Sequence, residues 1–406
     1  MGEEKKIAIW GSYLTWDGGI DFLCYLVNGL YSVQDKYKLK FYLILPYDNI
    51  TELKSFTLSV LNAVTKGGKI QLGGTNVNDK IRAAFKQYDI PVEIVYYNYL
   101  QKNVNKKLKK LKIDVLFPVI KSFNFDFETS YVSYIPDLQH KHLPHFFSAK
   151  EIKFRDERFT SLLDTSKAVI VNALAVKADI EKHYGQTYNV FSLPFCPPGP
   201  SAAWQISNET AQLRKFNLPK RYFLISNQFW KHKDHITAFK AFNLLIKQPG
   251  YADVKLLCTG LMQDPRFPEY VQDLKDFITN NQLQDKIRLL GYIAKEEQIA
   301  LMNQTDALIQ PTLFEGGPGG GAVYNAIAMG TRCIVSDIPV NLEIDDDKIT
   351  FFKAASPEDL ARKMALVLNT PYQKPTLALL QKEGHDRMQE LGEALIKVMK
   401  QVNPTL

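Results

Sequence analysis

The feature that most constrains this chain is a series of short apolar segments, rich in Val, Ile and aromatic residues, that recurs in both halves and is broken once by prolines. In the first half the segments are Ile7 to Trp10, Lys40 to Leu45, Glu93 to Tyr97, Val115 to Val119, Val132 to Ile135 and Ala168 to Val171. Continuous apolar runs of this length are the mark of parallel strands buried on both faces. Helix-patterned stretches lie between them, with Phe22, Leu23, Leu26 and Leu30 on one face, so the alternation reads as repeated βαβ units. After Val190 the stretch FSLPFCPPGPSAAW carries Pro194, Pro197, Pro198, Gly199 and Pro200, which exclude regular structure and mark a linker. The pattern then restarts with Tyr222 to Ser226, Val254 to Cys258, Ile287 to Leu290, Ala307 to Gln310 and Thr331 to Ser336. One helix in this half is expected to be capped by Asp234 and to bury Ile236, Phe239, Phe242 and Leu245. From about Asp386 to Gln401 a stripe of Met388, Leu391, Leu395 and Val398 predicts a closing helix. The expected organisation is therefore α/β throughout, with domains at 1–198 and 199–384 and a closing helix at 385–406; 406 residues are too many for one ordinary core.

Several function classes are excluded or made remote by composition. No stretch approaches the roughly 18 apolar residues of a membrane span. The opening MGEEKKIAIWGS lacks the apolar core of a signal peptide, and Lys6 stands where myristoylation of Gly2 would need Ser or Thr. Cys24, Cys196, Cys258 and Cys333 are dispersed and form no C-x-x-C pair, which suits a reducing compartment and argues against structural zinc. The expected location is cytoplasmic. Net charge is +7, and six lysines fall between Lys102 and Lys112 in QKNVNKKLKKLK, with Val104, Leu108 and Leu111 at helical spacing. This reads as a solvated basic helix face or as peripheral contact with anionic lipid on the inner face of a membrane. Nucleic acid is not an expected partner, because no base-stacking aromatics or nucleic-acid motif accompany the lysines.

Three loops have the form that binds phosphate at the carboxyl ends of parallel strands. The first, in IAIWGSYLTWDGGIDFL, places Gly18 and Gly19 just before a helix; this is equally the pattern of a tight turn. The second, LISNQFWKHKDH, sets Lys231, His232 and Lys233 between a strand end and a helix N-terminus. A lysine there opposes the positive end of the helix dipole, which points to a role outside the helix. The third, TLFEGGPGGGAVYNAIAMG, has five glycines between Gly316 and Gly321. Such density costs backbone entropy unless a close approach requires it. Glu315 stands directly ahead, where a carboxylate can accept hydrogen bonds from sugar hydroxyls.

The stretch EGGPGGGAVYNAIAMGTRCIVSD resembles the acidic donor-site motif of the retaining GT-B glycosyltransferases of family four. The Gly18-Gly19 loop, PDLQH, SNQFWKHKD, LLGYIAKEEQIALM and the acidic motif occur in that family's order, so the resemblance covers Ile7 to Glu343. It implies a GT-B fold, two Rossmann-like domains whose parallel sheets face a central cleft, with acceptor bound on the first and nucleotide sugar on the second. By the same resemblance Glu315 touches the transferred sugar and Lys233 neutralises the leaving phosphate. Gly319, Gly320 and Gly321 with the following helix, including Tyr324 and Asn325, hold the diphosphate and ribose. Gly291 and Tyr292 pack the base, and Gly18 and Gly19 close on the diphosphate. No metal and no cofactor is implied; the nucleoside-diphosphate sugar is the donor substrate.

The chain departs from the family pattern in three places. Asn325, ten positions after Glu315, replaces a glutamate expected eight positions after it. Asn227 replaces the arginine that partners the phosphate-binding lysine, leaving Lys233 and Lys231 to carry charge. Pro136 precedes Asp137 where a histidine is usual, so Asp137 and His140 become the substitute groups near the reacting sugar. His140, His142 and His145 lack the spacing typical of a zinc site, and one of them is expected to line the acceptor side. Asp345 to Asp347 reads as a solvated turn. The implied activity is hexose transfer, with retention, to a hydroxyl of a saccharide or lipid-linked saccharide in bacterial surface polysaccharide synthesis. Two other readings stay open: a sugar-nucleotide 2-epimerase of the same fold, and a non-catalytic nucleotide-sugar-binding subunit.

Overall fold

The computed structural model describes residues 3–11, 17–48, 77–98, 101–123, 125–201, 204 and 213–406. Gly2, residues 12–16 of the first glycine loop, and Ala202 and Ala203 of the proline-rich stretch lie outside the described residues. Thirteen strands form two all-parallel sheets among these residues. The first sheet comprises β1 (Lys5–Trp10), β2 (Leu39–Pro46), β3 (Glu93–Tyr97), β4 (Val115–Val119), β5 (Tyr131–Tyr134), β6 (Val169–Val171) and β7 (Val190–Ser192), in the order β3-β2-β1-β4-β5-β6-β7. The second comprises β8 (Tyr222–Ser226), β9 (Lys255–Thr259), β10 (Ile287–Gly291), β11 (Ala307–Gln310), β12 (Cys333–Ser336) and β13 (Ile349–Phe352), in the order β10-β9-β8-β11-β12-β13. Both are doubly wound, and in each the order reverses once, between β1 and β4 and between β8 and β11.

The apolar runs became strands because their side chains are covered on both sides; β4, β8, β11 and β12 are buried along their whole length. The two strands absent from the sequence reading, β7 and β13, are edge strands of three and four residues. Edge strands need no continuous apolar run, since one side pairs with nothing and part of each face stays wet.

The carboxy-terminal helix differs from expectation in extent and destination. It spans Leu377–Val402, so it begins eight residues before the expected 385, where the Thr376 hydroxyl accepts the Leu379 amide. Met388, Leu391, Leu395 and Met399 enter the core of the amino-terminal sheet with Leu23, Leu26 and Leu30 of helix α1 (Asp17–Ser32). The two helices cross where Gly392 meets Gly29: a Cβ on Gly392 would lie 2.2 Å from the Gly29 carbonyl oxygen. Each large apolar side chain buried here stabilises the junction by about 1.5–3 kcal/mol, so the end of the chain is tied to its beginning.

The acidic run after β12 also differs. Asp345 and Asp347 are exposed, but the Asp346 side chain is only 6% exposed and pairs with Lys348 at 3.0 Å and with Arg387 of the closing helix at 3.2 Å. The turn is thus solvated at Asp345 and Asp347, as expected, and anchored inward by ion pairs at Asp346 alone. Helix α2 (Gln101–Leu111) buries Val104 and Leu108 and exposes Lys106, Lys109 and Lys110. Among the described residues no helix is long and apolar enough to cross a membrane.

Candidate active site

The reversal of strand order between β8 and β11 sends the two following loops to opposite faces and opens a crevice between them. The loop after β8 carries Asn227 to Lys233 and the loop after β11 carries Pro311 to Gly319. They are tied by the Leu313 amide, which donates to the His232 carbonyl at 2.8 Å. Lys231–Lys233 is a single 3-10 turn, and Asp234 takes the left-handed conformation (φ 51°) before the helix α5 (His235–Ile246), counting Ala149–Thr165 as α3 and Leu174–Tyr184 as α4. That reversal frees Lys233 from the helix and directs it across the crevice. Asp234 makes no side-chain capping bond, contrary to expectation; its Oδ2 is unpartnered among the described residues, and burial raises its pKa to about 6.

Four side chains from the two loops and the strand between them form one hydrogen-bonded series. Lys233 Nζ reaches Glu315 Oε1 at 2.5 Å, and both side chains are about nine-tenths buried (12% and 10% exposed). Gln310 Nε2 donates to the same oxygen at 2.8 Å, and Asn227 Nδ2 donates to Gln310 Oε1 at 2.7 Å. Gln310 was not singled out from sequence. The available signal was a buried polar residue at the carboxyl end of the apolar strand ALIQ. The arrangement holds Glu315 Oε1 with two donors and leaves Oε2 beside Gly320, where an added Cβ would lie 3.3 Å away. Gly320 has φ +63° and opens helix α7 (Gly320–Ala328), numbering Lys295–Gln304 as α6.

The glycine-rich loop touches the other domain. A Cβ on Gly316 would lie 2.4 Å from the Pro136 carbonyl oxygen and 2.9 Å from Asp137 Cβ, and one on Gly317 would lie 2.7 Å from Asn172 Cβ. Pro136 and Asp137 follow β5, and Asn172 follows β6, so carboxyl ends of both sheets meet here. Gly319 donates its amide to Asn341 Oδ1 at 2.8 Å, and Asn341 is fixed by donating to the Ser336 carbonyl at 2.9 Å. A second clasp was also invisible in sequence: Glu343 accepts the Leu174 and Ala175 amides at 2.8 and 2.7 Å, capping α4 from the opposite domain.

The remaining residues named from sequence divide into those at the crevice and those engaged elsewhere. Asp137 lies against the loop, accepts the Gln139 amide at 2.9 Å and sits 3.6 Å from Arg155. His140 is interior: Nε2 is 2.9 Å from Asp156 Oδ1, Phe159 packs beside it, and burial lowers its pKa. The histidine at the cleft is instead His142, whose ring is 5.3 Å from Phe314; its bond to Asp179 raises its pKa. Lys231 does not join Lys233, and its ammonium lies over the Phe267 ring at 4.4 Å. Asn325 is buried and accepts the Tyr25 hydroxyl at 2.9 Å, while Tyr324 stacks on Tyr25 at 5.8 Å. Both therefore serve the contact between α1 and α7 in this arrangement. Gly18 and Gly19 fall inside the first turn of α1 rather than ahead of it. Gly291 (φ +70°) ends β10, with Tyr292 largely exposed next to it and Gly321 in open space. Among the described residues no three His, Cys, Asp or Glu side chains form a metal-holding group.

Comparison with known proteins bears on the fold that carries these loops. Residues 208–385 match the family model described as glycosyl transferases group 1. The O-antigen chain mannosyltransferase RfbU of Salmonella typhimurium is 26% identical over 186 residues, 46% of this chain and 48% of that protein. The chain thus aligns with about half the length of that curated relative. A glycosyltransferase from Rickettsia africae superposes with TM-score 0.63 at 15% identity, covering 99% of both chains. Anabaena Alr3699/HepE, solved with UDP and glucose, gives TM-score 0.63 at 14% identity, covering 97% of this chain and 99% of that one. These likenesses show the fold, which is GT-B.

Proposed function

We propose, from the match of residues 208–385 to the glycosyl transferases group 1 model, that the protein transfers a hexose from a nucleoside-diphosphate sugar to an acceptor hydroxyl, with retention and without a metal ion. The observation that carries this reading is the buried pairing of Lys233 with Glu315 at the switch point of the second sheet. A cation and a carboxylate held there serve the two ends of the donor, phosphate and sugar. Residues 1–198 would take the acceptor and 199–384 the donor.

In this mechanism negative charge grows on the departing diphosphate. Lys233 and the amides opening α7 stabilise it more in the transition state than in the ground state, in the role a metal fills elsewhere. Lys233 then exchanges part of its bond to Glu315 for one to phosphate, while Gln310 keeps the carboxylate in place. Glu315 Oε2 accepts from a hydroxyl of the transferred sugar. The acceptor attacks on the leaving-group face, and the departing phosphate receives its proton. Contact between the glycine loop and Pro136, Asp137 and Asn172 excludes water from the reacting carbon and disfavours hydrolysis.

The relative's O-antigen role and the exposed lysines of α2 support a saccharide or lipid-linked saccharide acceptor approached at a membrane surface. The primary test is thermal stability against UDP, GDP, ADP, CMP and dTDP, with and without magnesium and with chelator. A shift with one diphosphate, unchanged by chelation, is expected; no shift with any would remove the donor site. Product analysis with the matching sugar nucleotide should give a glycosylated acceptor. A free epimerised sugar nucleotide, or no turnover, would replace the transferase reading.

A further inference from the structure

Three arginines gather along the amino-terminal wall of the cleft, and one of them has no carboxylate partner of its own. Arg155 and Arg158 stand at i and i+3 on α3, and Arg266 arrives from the loop after β9 in the other domain. Arg155 and Arg266 both lie over the Phe147 ring, at 4.6 and 5.3 Å. Arg266 also donates to Gln139 Oε1 at 3.2 Å, meets His232 Nδ1 at 3.3 Å and has Asp264 at 3.7 Å, and Arg155 has Asp137 at 3.6 Å. Arg158 has no hydrogen bond and no ion pair among the described residues, and its Nε is shut off from solvent without an acceptor.

The position of Arg158 is set by its neighbours. One turn along α3, Ser161 Oγ meets Ser122 Oγ at 2.7 Å, and Ser122 lies just beyond the end of β4. Asp137 follows β5 and touches the glycine loop of the donor half. The arginine pair thus stands at the carboxyl ends of β4 and β5, where an open parallel sheet binds ligands. Arg158 is half-buried, and a guanidinium nitrogen withdrawn from water without an acceptor is destabilising. Burial, with Arg155 nearby, lowers its pKa, and Asp137 only partly opposes this. The one cation–π contact of Arg158 among the described residues is with the Phe159 ring, 4.9 Å away, which leaves the donors of the guanidinium fork without an acceptor. A planar fork of donors matches phosphate oxygens.

We propose that Arg155, Arg158 and Arg266 form an acceptor subsite for a phosphoryl group, so that the acceptor is a sugar phosphate or a phosphate-linked saccharide rather than a neutral sugar. The assignment to an acceptor rests on the transferase reading, whereas the anion site itself does not. Because Arg266 belongs to the donor half, an anion held by all three also draws the two domains together.

The test uses the full chain in chloride buffer of constant ionic strength, with inorganic phosphate as probe. Phosphate should raise the melting temperature of the parent protein, and Arg158→Gln should weaken that response about tenfold or more. Arg158→Lys, which keeps charge but loses the fork, should fall between. Without ligand, Arg158→Gln should melt higher than the parent, as expected when a half-buried cation without an anion is removed. Lys233→Met separates the two readings, since it should lose the nucleoside-diphosphate response and keep the phosphate response. An equal phosphate response in Arg158→Gln, its loss in Lys233→Met alone, or a lower ligand-free melting point in Arg158→Gln would overturn the proposal. A hexose 6-phosphate or dodecyl phosphate micelles should displace phosphate, the former for a soluble acceptor and the latter for a lipid-borne one; displacement by neither would also overturn it.

Discussion

Replacing Lys233 with Met tests the centre of the proposed site through stability as well as binding. Lys233 and Glu315 are 12% and 10% exposed and meet at 2.5 Å, so the change leaves a largely buried carboxylate with Gln310 as its remaining donor among the described residues, at 2.8 Å. Removing one partner of a buried pair costs about 3–5 kcal/mol, most of it the penalty of the stranded charge. Glu315→Gln should cost a similar amount by stranding the ammonium. The double variant has no stranded charge, and Gln310 can still bond the new amide. It should therefore recover about 2–3 kcal/mol relative to the sum of the single changes. Urea denaturation of the four proteins, followed by tryptophan fluorescence, closes the cycle. In parallel, Lys233→Met should weaken nucleoside-diphosphate binding by about 10–100-fold, the range of a charge-assisted hydrogen bond of about 1.5–3 kcal/mol. Additive losses of less than about 0.5 kcal/mol each, the range of ordinary surface changes, would refute the reasoning.

Three further changes probe what surrounds that pair. Gln310→Leu removes a donor from Glu315 and an acceptor from Asn227; it should cost about 1–3 kcal/mol and lower kcat more than it raises KM, and a pure KM effect would argue against a positioning role. Asp234 has a folded pKa of about 6 against an ordinary 3.8. Its raised value means that the fold binds the proton more tightly, so stability is greatest below the unfolded value and declines as pH rises toward 6. Asp234→Asn, which tolerates the left-handed backbone, should match the parent at pH near 3 and exceed it by about 3 kcal/mol at pH near 8 in urea midpoints; equal stability at both would refute this. Glu343→Ala removes the cap that α4 receives from the other domain. It should cost about 1 kcal/mol and increase the radius of gyration in solution scattering, and an unchanged radius would show that the clasp does not hold the domains closed.

The α/β character, the two sheets and the glycine loop were legible in the residues because each depends on local pattern. A strand buried on both faces needs a continuous apolar run, and Val115 to Val119 or Ala307 to Gln310 can hardly be read otherwise. Lys233 and Glu315 were legible for a related reason: a cation at a helix start and a carboxylate before five glycines conflict with their local surroundings. Which groups they meet was not local. Their bond spans 82 positions, and the Tyr25 to Asn325 bond spans 300. His140 and His142 are two residues apart in one polar stretch, yet one enters the interior beside Asp156 and the other faces Phe314, because adjacent side chains on a short helical turn point in different directions. Asp346 reads as a loop carboxylate until Arg387 arrives on the closing helix, and Gln310 reads as a strand end until Asn227 and Glu315 close around it. Periodicity and backbone preference act over a few residues and are written in the chain; the partner of a buried polar group is chosen by desolvation, which only the assembled sheets and helices impose.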